Sequence, residues 1–210
     1  MNYLTIQQQF APQGLFSTQE VLKLYPTFDT RRLVEWQQKN YIQRVANRWY
    51  LFRNTPLDEH LLWWTANRLY QPSYLSLETA LSYHGLIPEG VYALTSVGSR
   101  KTQTLNTSIG SFSYRHLKPR LFFGYQVLRQ TSPALNRPVL MAYPEKALLD
   151  YCYLNTHLNA LDDFVALRLN ATHLHHHLDR DRLRTYTALF GVGQLTRRMA
   201  VLQQYIDRYA

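Results

Sequence analysis

Two short amphipathic segments, followed at once by a basic hairpin, constrain this chain more than any other feature. Ser17-Thr18-Gln19-Glu20 matches a capping box, in which Ser17 and Glu20 satisfy each other's orphan N–H groups. Val21, Leu22 and Leu24 give that helix its apolar side, and Pro26 stops it at Tyr25. Asp29 is placed as the N-cap of the next helix, with Thr30, Arg31 and Arg32 at its start. Leu33 and Trp36, three apart, share one face; Gln38 lies towards the other, Lys39 closes the helix and Asn40 reads as a left-handed C-cap. Residues 42–45 and 49–52 alternate like strands around the bend Ala46-Asn47-Arg48. A short helix over 3–9, closed by Pro12 and Gly14, precedes them. Helix, turn, helix and a two-stranded wing is a layout that sets its last helix in the major groove of DNA.

The charge agrees with that layout. The 210 residues carry 23 Lys and Arg against 14 Asp and Glu, a formal +9 that favours a polyanionic partner. Residues 1–56 hold 7 basic and 3 acidic side chains and are the most basic part per residue. Cys152 is the only cysteine, so an intrachain disulfide and a thiolate metal cluster are both excluded. The N-terminus has no basic n-region with an apolar run behind it, and no stretch of 18 apolar residues occurs. The expectation is a cytoplasmic protein without a membrane partner.

Thr55-Pro56 marks a boundary between a module at 1–55 and a larger unit at 56–210. Residues 57–70 and 76–84 read as helices, the second capped by Ser76 and ended by Gly85. The β-rich stretch 91–142 offers four strands, at 91–97, 108–114, 121–128 and 137–142. Helices are expected over 144–155, 160–168, 172–187 and 194–209. The fold class is thus α+β: an N-terminal winged helix-turn-helix, then a larger α+β domain with a small, mainly antiparallel sheet and C-terminal helices.

Several of these segments resemble the AbiEi family, the antitoxin and transcriptional regulator of type IV (abortive infection) toxin–antitoxin systems. The stretch from Trp36 to Tyr50 registers with the end of that family's winged module at Ile42, Arg44 and Tyr50, while Asn40 and Arg48 stand where it has glycines. Ser76-Leu77-Glu78-Thr79-Ala80-Leu81-Ser82-Tyr83-His84-Gly85-Leu86 resembles a second family segment. Ala142-Tyr143-Pro144-Glu145-Lys146-Ala147-Leu148-Leu149-Asp150 resembles its signature. The likeness spans roughly residues 5–160. It implies a promoter-binding antitoxin that represses its own operon and is linked functionally to a nucleotidyltransferase-like toxin.

The residues themselves name candidate contacts. Arg31 and Arg32 suit guanine edges or phosphates; Thr30, Gln38 and Lys39 flank them on the same helix. Arg44, Asn47 and Arg48 suit the DNA backbone or the minor groove, although Arg44 has an alternative partner in Asp29 or Glu35. Trp49 and Tyr50 read as core, sealing the hairpin onto Leu33 and Trp36. A second basic surface, Arg100, Lys101, Arg115, Lys118 and Arg120, is interleaved with Phe112, Tyr114, Phe122 and Phe123; base stacking and the alternation of a half-buried strand explain it equally well.

Chemistry finds less support. Glu145 and Lys146 are adjacent at a helix start and diverge, so they do not form a nuclease site, and Lys146 can pair with Asp150 at i,i+4. His173 and His177 lie one turn apart, but no Glu follows His173 and no metal site is expected. His84 reads as a histidine bonded to backbone and Cys152 as inert core. Neither a cofactor nor catalysis is expected. The function expected is a sequence-specific repressor and type IV antitoxin bound to double-stranded DNA at an inverted-repeat operator. The alternatives are an orphan winged-helix regulator sensing a ligand or protein partner, and a DNA-acting nuclease.

Overall fold

The computed structural model describes residues 2–88, 90, 92–129 and 137–210. Its N-terminal part runs α1 (Tyr3–Phe10), β1 (Leu15–Ser17), α2 (Thr18–Leu24), α3 (Arg31–Gln38), β2 (Ile42–Ala46) and β3 (Trp49–Phe52). The strands form an antiparallel sheet of order β1-β3-β2. The capping box at α2 is complete, with Ser17 Oγ accepting from Glu20 N at 3.2 Å and the Glu20 carboxylate accepting from Ser17 N at 2.8 Å. Thr30, one residue later than expected, holds the N-cap position of α3; Asp29 still accepts from Arg31 N at 3.0 Å. Asn40 turns the chain at φ 58°, a left-handed conformation that asparagine tolerates.

This small sheet is buried on both faces, which the alternation within each strand arranges. Phe16, Ile42 and Phe52 join Ile6, Phe10, Val21, Phe28, Leu33 and Trp36 in a core that belongs to the first 52 residues. Their neighbours Leu15, Val45 and Leu51 point the other way and enter the main core of the molecule. A bulge at Val45, between the Arg44–Tyr50 and Ala46–Trp49 pairs, leaves Val45 without a cross-strand partner. Tyr50 meets the N-terminal core, but Trp49 corrects the expectation: it packs against the main core instead of sealing onto Leu33 and Trp36.

The rest of the chain is α4 (Glu59–Leu69), β4 (Ser73–Leu75), α5 (Leu77–Tyr83), β5 (Ala93–Gly98), β6 (Gln103–Thr107), β7 (Gly110–His116), a 3₁₀ turn at Pro119–Leu121, β8 (Tyr125–Leu128), β9 (Val139–Ala142), α6 (Pro144–Leu154), α7 (Leu161–Ala166), α8 (Ala171–His177), α9 (Arg180–Phe190) and α10 (Gly193–Tyr209). The sheet has six strands in the order β6-β7-β5-β4-β9-β8. It is mixed rather than mainly antiparallel, because β4–β9 and β5–β7 pair in parallel. Three strands escaped the sequence reading, the three-residue β1 of the small sheet among them. β4 is only three residues long, and β6 is too polar to show apolar alternation. Val91, where the first strand of this region was expected to begin, lies outside the described residues.

α4 covers one face of the sheet, where the Tyr114 hydroxyl donates to Ala66 O at 2.8 Å, and α5 and α6 cover the other. The helix expected over 172–187 is two helices. Asp179 divides them: its N donates to Glu145 Oε1 at 2.8 Å, and its carboxylate caps α9 by accepting from Asp181 N and Arg182 N. Gly191, at φ 61°, closes α9. Among the described residues no helix is long and apolar enough to cross a membrane.

A buried polar knot joins the sheet to α6. The Lys146 ammonium pairs with Asp150 one turn on and donates to Tyr74 Oη at 2.7 Å. Asp150 Oδ2 accepts from Tyr74 Oη at 2.8 Å and from Ser76 Oγ at 2.9 Å. Ser76, expected as a side-chain cap for α5, therefore spends its hydroxyl on Asp150. Burial pushes the Lys146 ammonium down and the Asp150 carboxyl up, each opposed by its partner. Removing one side strands the other charge, so Lys146→Met is expected to cost about 3–5 kcal/mol in urea unfolding. The double change Lys146→Met with Asp150→Leu should recover part of that loss; a single variant as stable as the parent would contradict the knot's role.

Candidate nucleic-acid interface

α3 turns Leu33 and Trp36 inward, so its 3.6-residue period carries Arg31, Val34, Glu35 and Gln38 to the outer side. Thr30 and Lys39 are exposed at its two ends. The Arg31 side chain is 87% exposed, yet its guanidinium is not idle: Nε lies 3.1 Å from both Asp29 carboxylate oxygens and Nη2 lies 3.0 Å from Oδ2. These bonds hold the Asp29 carboxyl below its ordinary range. A phosphate or base edge reaching Arg31 competes with Asp29 across solvent, where such a pair is weak. Arg32 is half-buried and has partners of its own, so the outward cation of the pair is Arg31.

The hairpin presents Arg44, Asn47 and Arg48 to solvent. Arg44 folds back onto the turn, with Nε donating to Ala46 O and Nη2 to Asn47 Oδ1, both at 3.3 Å. Its partners are thus in the hairpin and not the carboxylates of Asp29 or Glu35. Arg53 ties the base of the hairpin to the end of α3, donating to Asn40 Oδ1 and Gln43 Oε1 at 2.6 Å each. The β6–β7 turn braces the outer strand, where Ser108 Oγ donates to Arg44 O at 3.1 Å. Helix and hairpin are therefore held in one fixed relation.

The second basic surface separates into parts. Arg100 and Lys101 line a groove with Tyr70, Ser99 and His116. There the Arg100 guanidinium stacks 4.7 Å from the Tyr70 ring centroid, and the Tyr70 hydroxyl donates to Lys101 O at 2.9 Å. Arg115 is half-buried on β7, Lys118 is exposed, and Arg120 lies beside Gly191. Phe112 and Tyr114 are fully buried and Phe122 and Phe123 pack against the core, so strand alternation explains the first two aromatics and they offer no stacking platform. The cationic character stands independently: the 55 residues between Glu89 and Glu145 contain seven Lys or Arg and no acid.

The side chains that invited enzymatic readings have other work. Glu145 is buried and accepts from Asp179 N and from Arg182 Nη1 at 3.3 Å, while Lys146 and Asp150 are sealed in the knot. His84 Nε2 bonds Ala142 O at 2.8 Å, and burial pulls its imidazole below the ordinary value. Cys152 is buried, its thiol pushed up to about 12 by desolvation. The His173 and His177 rings lie 4.3 Å apart, but among the described residues no third ligand joins them.

Two residues escaped the sequence reading. Val34, 55% exposed in the middle of the outer face of α3, suits a thymine methyl, and its helical phase was the available signal. Arg68 carries no local signal, since its contacts are long-range: it bonds Glu20 of α2 and stacks 5.2 Å from the rings of Trp49 and Trp64. No protein-family model and no curated protein matches the chain.

Arg48 gives a direct test of this surface. It sits at φ 63°, where an L-residue is disfavoured by roughly 1–2 kcal/mol relative to its usual regions. Arg48→Gly should stabilise the chain by up to about 1 kcal/mol in thermal unfolding, yet weaken DNA binding and lower the salt-dependence slope by about 1. Loss of stability with unchanged DNA affinity would show that the arginine is there for the fold.

Proposed function

We propose that this protein is a sequence-specific, DNA-binding transcriptional repressor built on a winged helix-turn-helix. It acts as the antitoxin of a type IV toxin–antitoxin system and represses its own operon. The observation that carries the DNA-binding half is the outward face of α3, with Arg31, Val34, Glu35 and Gln38 exposed together and the basic hairpin beside it. The order α1-β1-α2-α3-β2-β3 supports the same reading, because it is the connectivity in which the third helix enters the major groove. In this reading α3 reads base edges and Arg44, Asn47 and Arg48 hold the backbone.

The antitoxin half rests on the motif likeness at residues 76–86 and 142–150. The burial of Glu145, Lys146 and Asp150 gives that signature a structural purpose: it anchors the sheet to the helical layer. An inverted-repeat operator asks for two copies of the reading helix, one per half-site. The toxin partner is a nucleotidyltransferase-like enzyme countered without obligatory complex formation.

A gel-shift titration with the promoter of the protein's own operon tests the reading. Arg31→Ala together with Arg32→Ala is expected to abolish operator binding while the circular dichroism stays that of a folded chain. The single Arg31→Ala, at the outward cation, should keep the parent's melting temperature and weaken binding about tenfold or more. Unchanged affinity in the double variant would remove α3 from the interface.

A further inference from the structure

We propose that the cleft beside Arg68 is a binding site for a small planar aromatic acid, and that its occupant competes with Glu20 for Arg68. The binding half stands independently of the DNA-reading proposal; its coupling to DNA rests on that proposal.

The cleft exists because β4 and β9 pair only at Leu75–Met141 and then part. The Asn67 side chain bridges the gap instead of a strand, accepting from Leu140 N at 2.6 Å and donating to Leu140 O at 3.4 Å. Beside it opens a space of about 600 Å³, within the usual range for small-molecule sites. Its apolar walls include the rings of Trp64, Phe122 and Tyr125. Arg68 and Arg129 are its cations, and no acidic residue lines it among the described residues. Flat apolar walls with two guanidinium groups suit a planar ring carrying a carboxylate.

Unused donors point the same way. Ser73 lines the cleft, is 2% exposed, and its hydroxyl has no partner; Arg68 Nε is likewise buried without one. Unpaired buried polar groups are uncommon in a folded chain, and a shift of Arg68 towards the cleft would open its Nε to an acceptor on a ligand.

Arg68 is also the tie between this body and the N-terminal helices. Its Nη2 pairs with Glu20, the residue that completes the capping box of α2, while its guanidinium stacks on Trp49 of β3 and Trp64 of α4. A ligand carboxylate and Glu20 thus draw on one guanidinium. Occupancy shifts Arg68 towards the cleft and loosens α2, the helix that precedes α3, from the body.

Indole-3-acetate titrated into the full chain, followed by calorimetry in the absence of DNA, tests the site. Saturable binding is expected, weakened about tenfold or more by Arg68→Gln and for the uncharged indole-3-acetamide. Val127→Trp should also weaken it, by filling the mouth from an exposed position that leaves the core untouched. No saturation at the solubility limit, or binding indifferent to both substitutions, overturns the site. With promoter DNA present, the same probe should lower the affinity of the parent and not of Val127→Trp. Probe binding that leaves operator affinity unchanged overturns the coupling, and a chain that binds no promoter at all still leaves the calorimetric result to decide the site.

Discussion

Everything that positions α3 and its hairpin depends on a three-stranded sheet with two apolar faces. Phe16, Ile42 and Phe52 bury under the N-terminal helices, while Leu15, Val45 and Leu51 bury in the body. Each fully buried side chain of this size contributes on the order of 1.5–3 kcal/mol, so neither face is free to be given up. The sheet is consequently a shared wall and not the outer skin of an independent module. Its partner contacts continue the same theme: Arg137 Nε donates to Gln13 O at 3.0 Å, and Arg68 grips Glu20 and Trp49. The orientation of α3 and its hairpin is set by the body beneath them.

The body, in turn, is stiffened by a buried ionic knot where most proteins use apolar contacts. Lys146 lies among aromatic rings, with Tyr74, Phe123 and Phe190 centroids at 5.4, 5.1 and 4.8 Å. Such a pair adds little net stability over an apolar replacement, but it penalises any packing that separates its members. Gly124 shows how tightly the knot is closed, for a Cβ there would meet the Lys146 chain and Tyr186 at 3.0 Å. Glu145 extends the arrangement by fastening the start of α9 through Asp179 and Arg182. The segment from Ala142 to Asp150 thus works inside the protein.

Much of this was legible in the chain, and the misses share a cause. Local rules located the capping box at Ser17 and Glu20, the left-handed Asn40, the helix opened by Pro144 and the Lys146–Asp150 pair, because each acts over four residues or fewer. Long-range pairing was invisible. β4 has only three residues and gains its identity from β5 and β9; β6 is polar because it is an edge strand. The division of α8 from α9 follows from the contact between Asp179 and Glu145, 34 residues apart. Trp49 reads as part of the nearer core because a sequence does not say that its strand is covered on both sides. At the candidate interface, exposure of Arg31, Gln38, Lys39, Arg44, Asn47 and Arg48 agrees with the helical and strand phase, whereas the half-burial of Arg32 and the bond from Arg31 to Asp29 depend on geometry that no pattern encodes.

Backbone hydrogen exchange of the full chain tests most directly the proposal that α3 and the adjoining hairpin are the face that meets duplex DNA. With promoter duplex at saturating concentration, peptides covering residues 29–48 should exchange more slowly than in the free protein, and peptides from α7 and α8 should be unchanged. Protection confined to the 100–120 region, or absent from 29–48 while the duplex is demonstrably bound, would contradict the account.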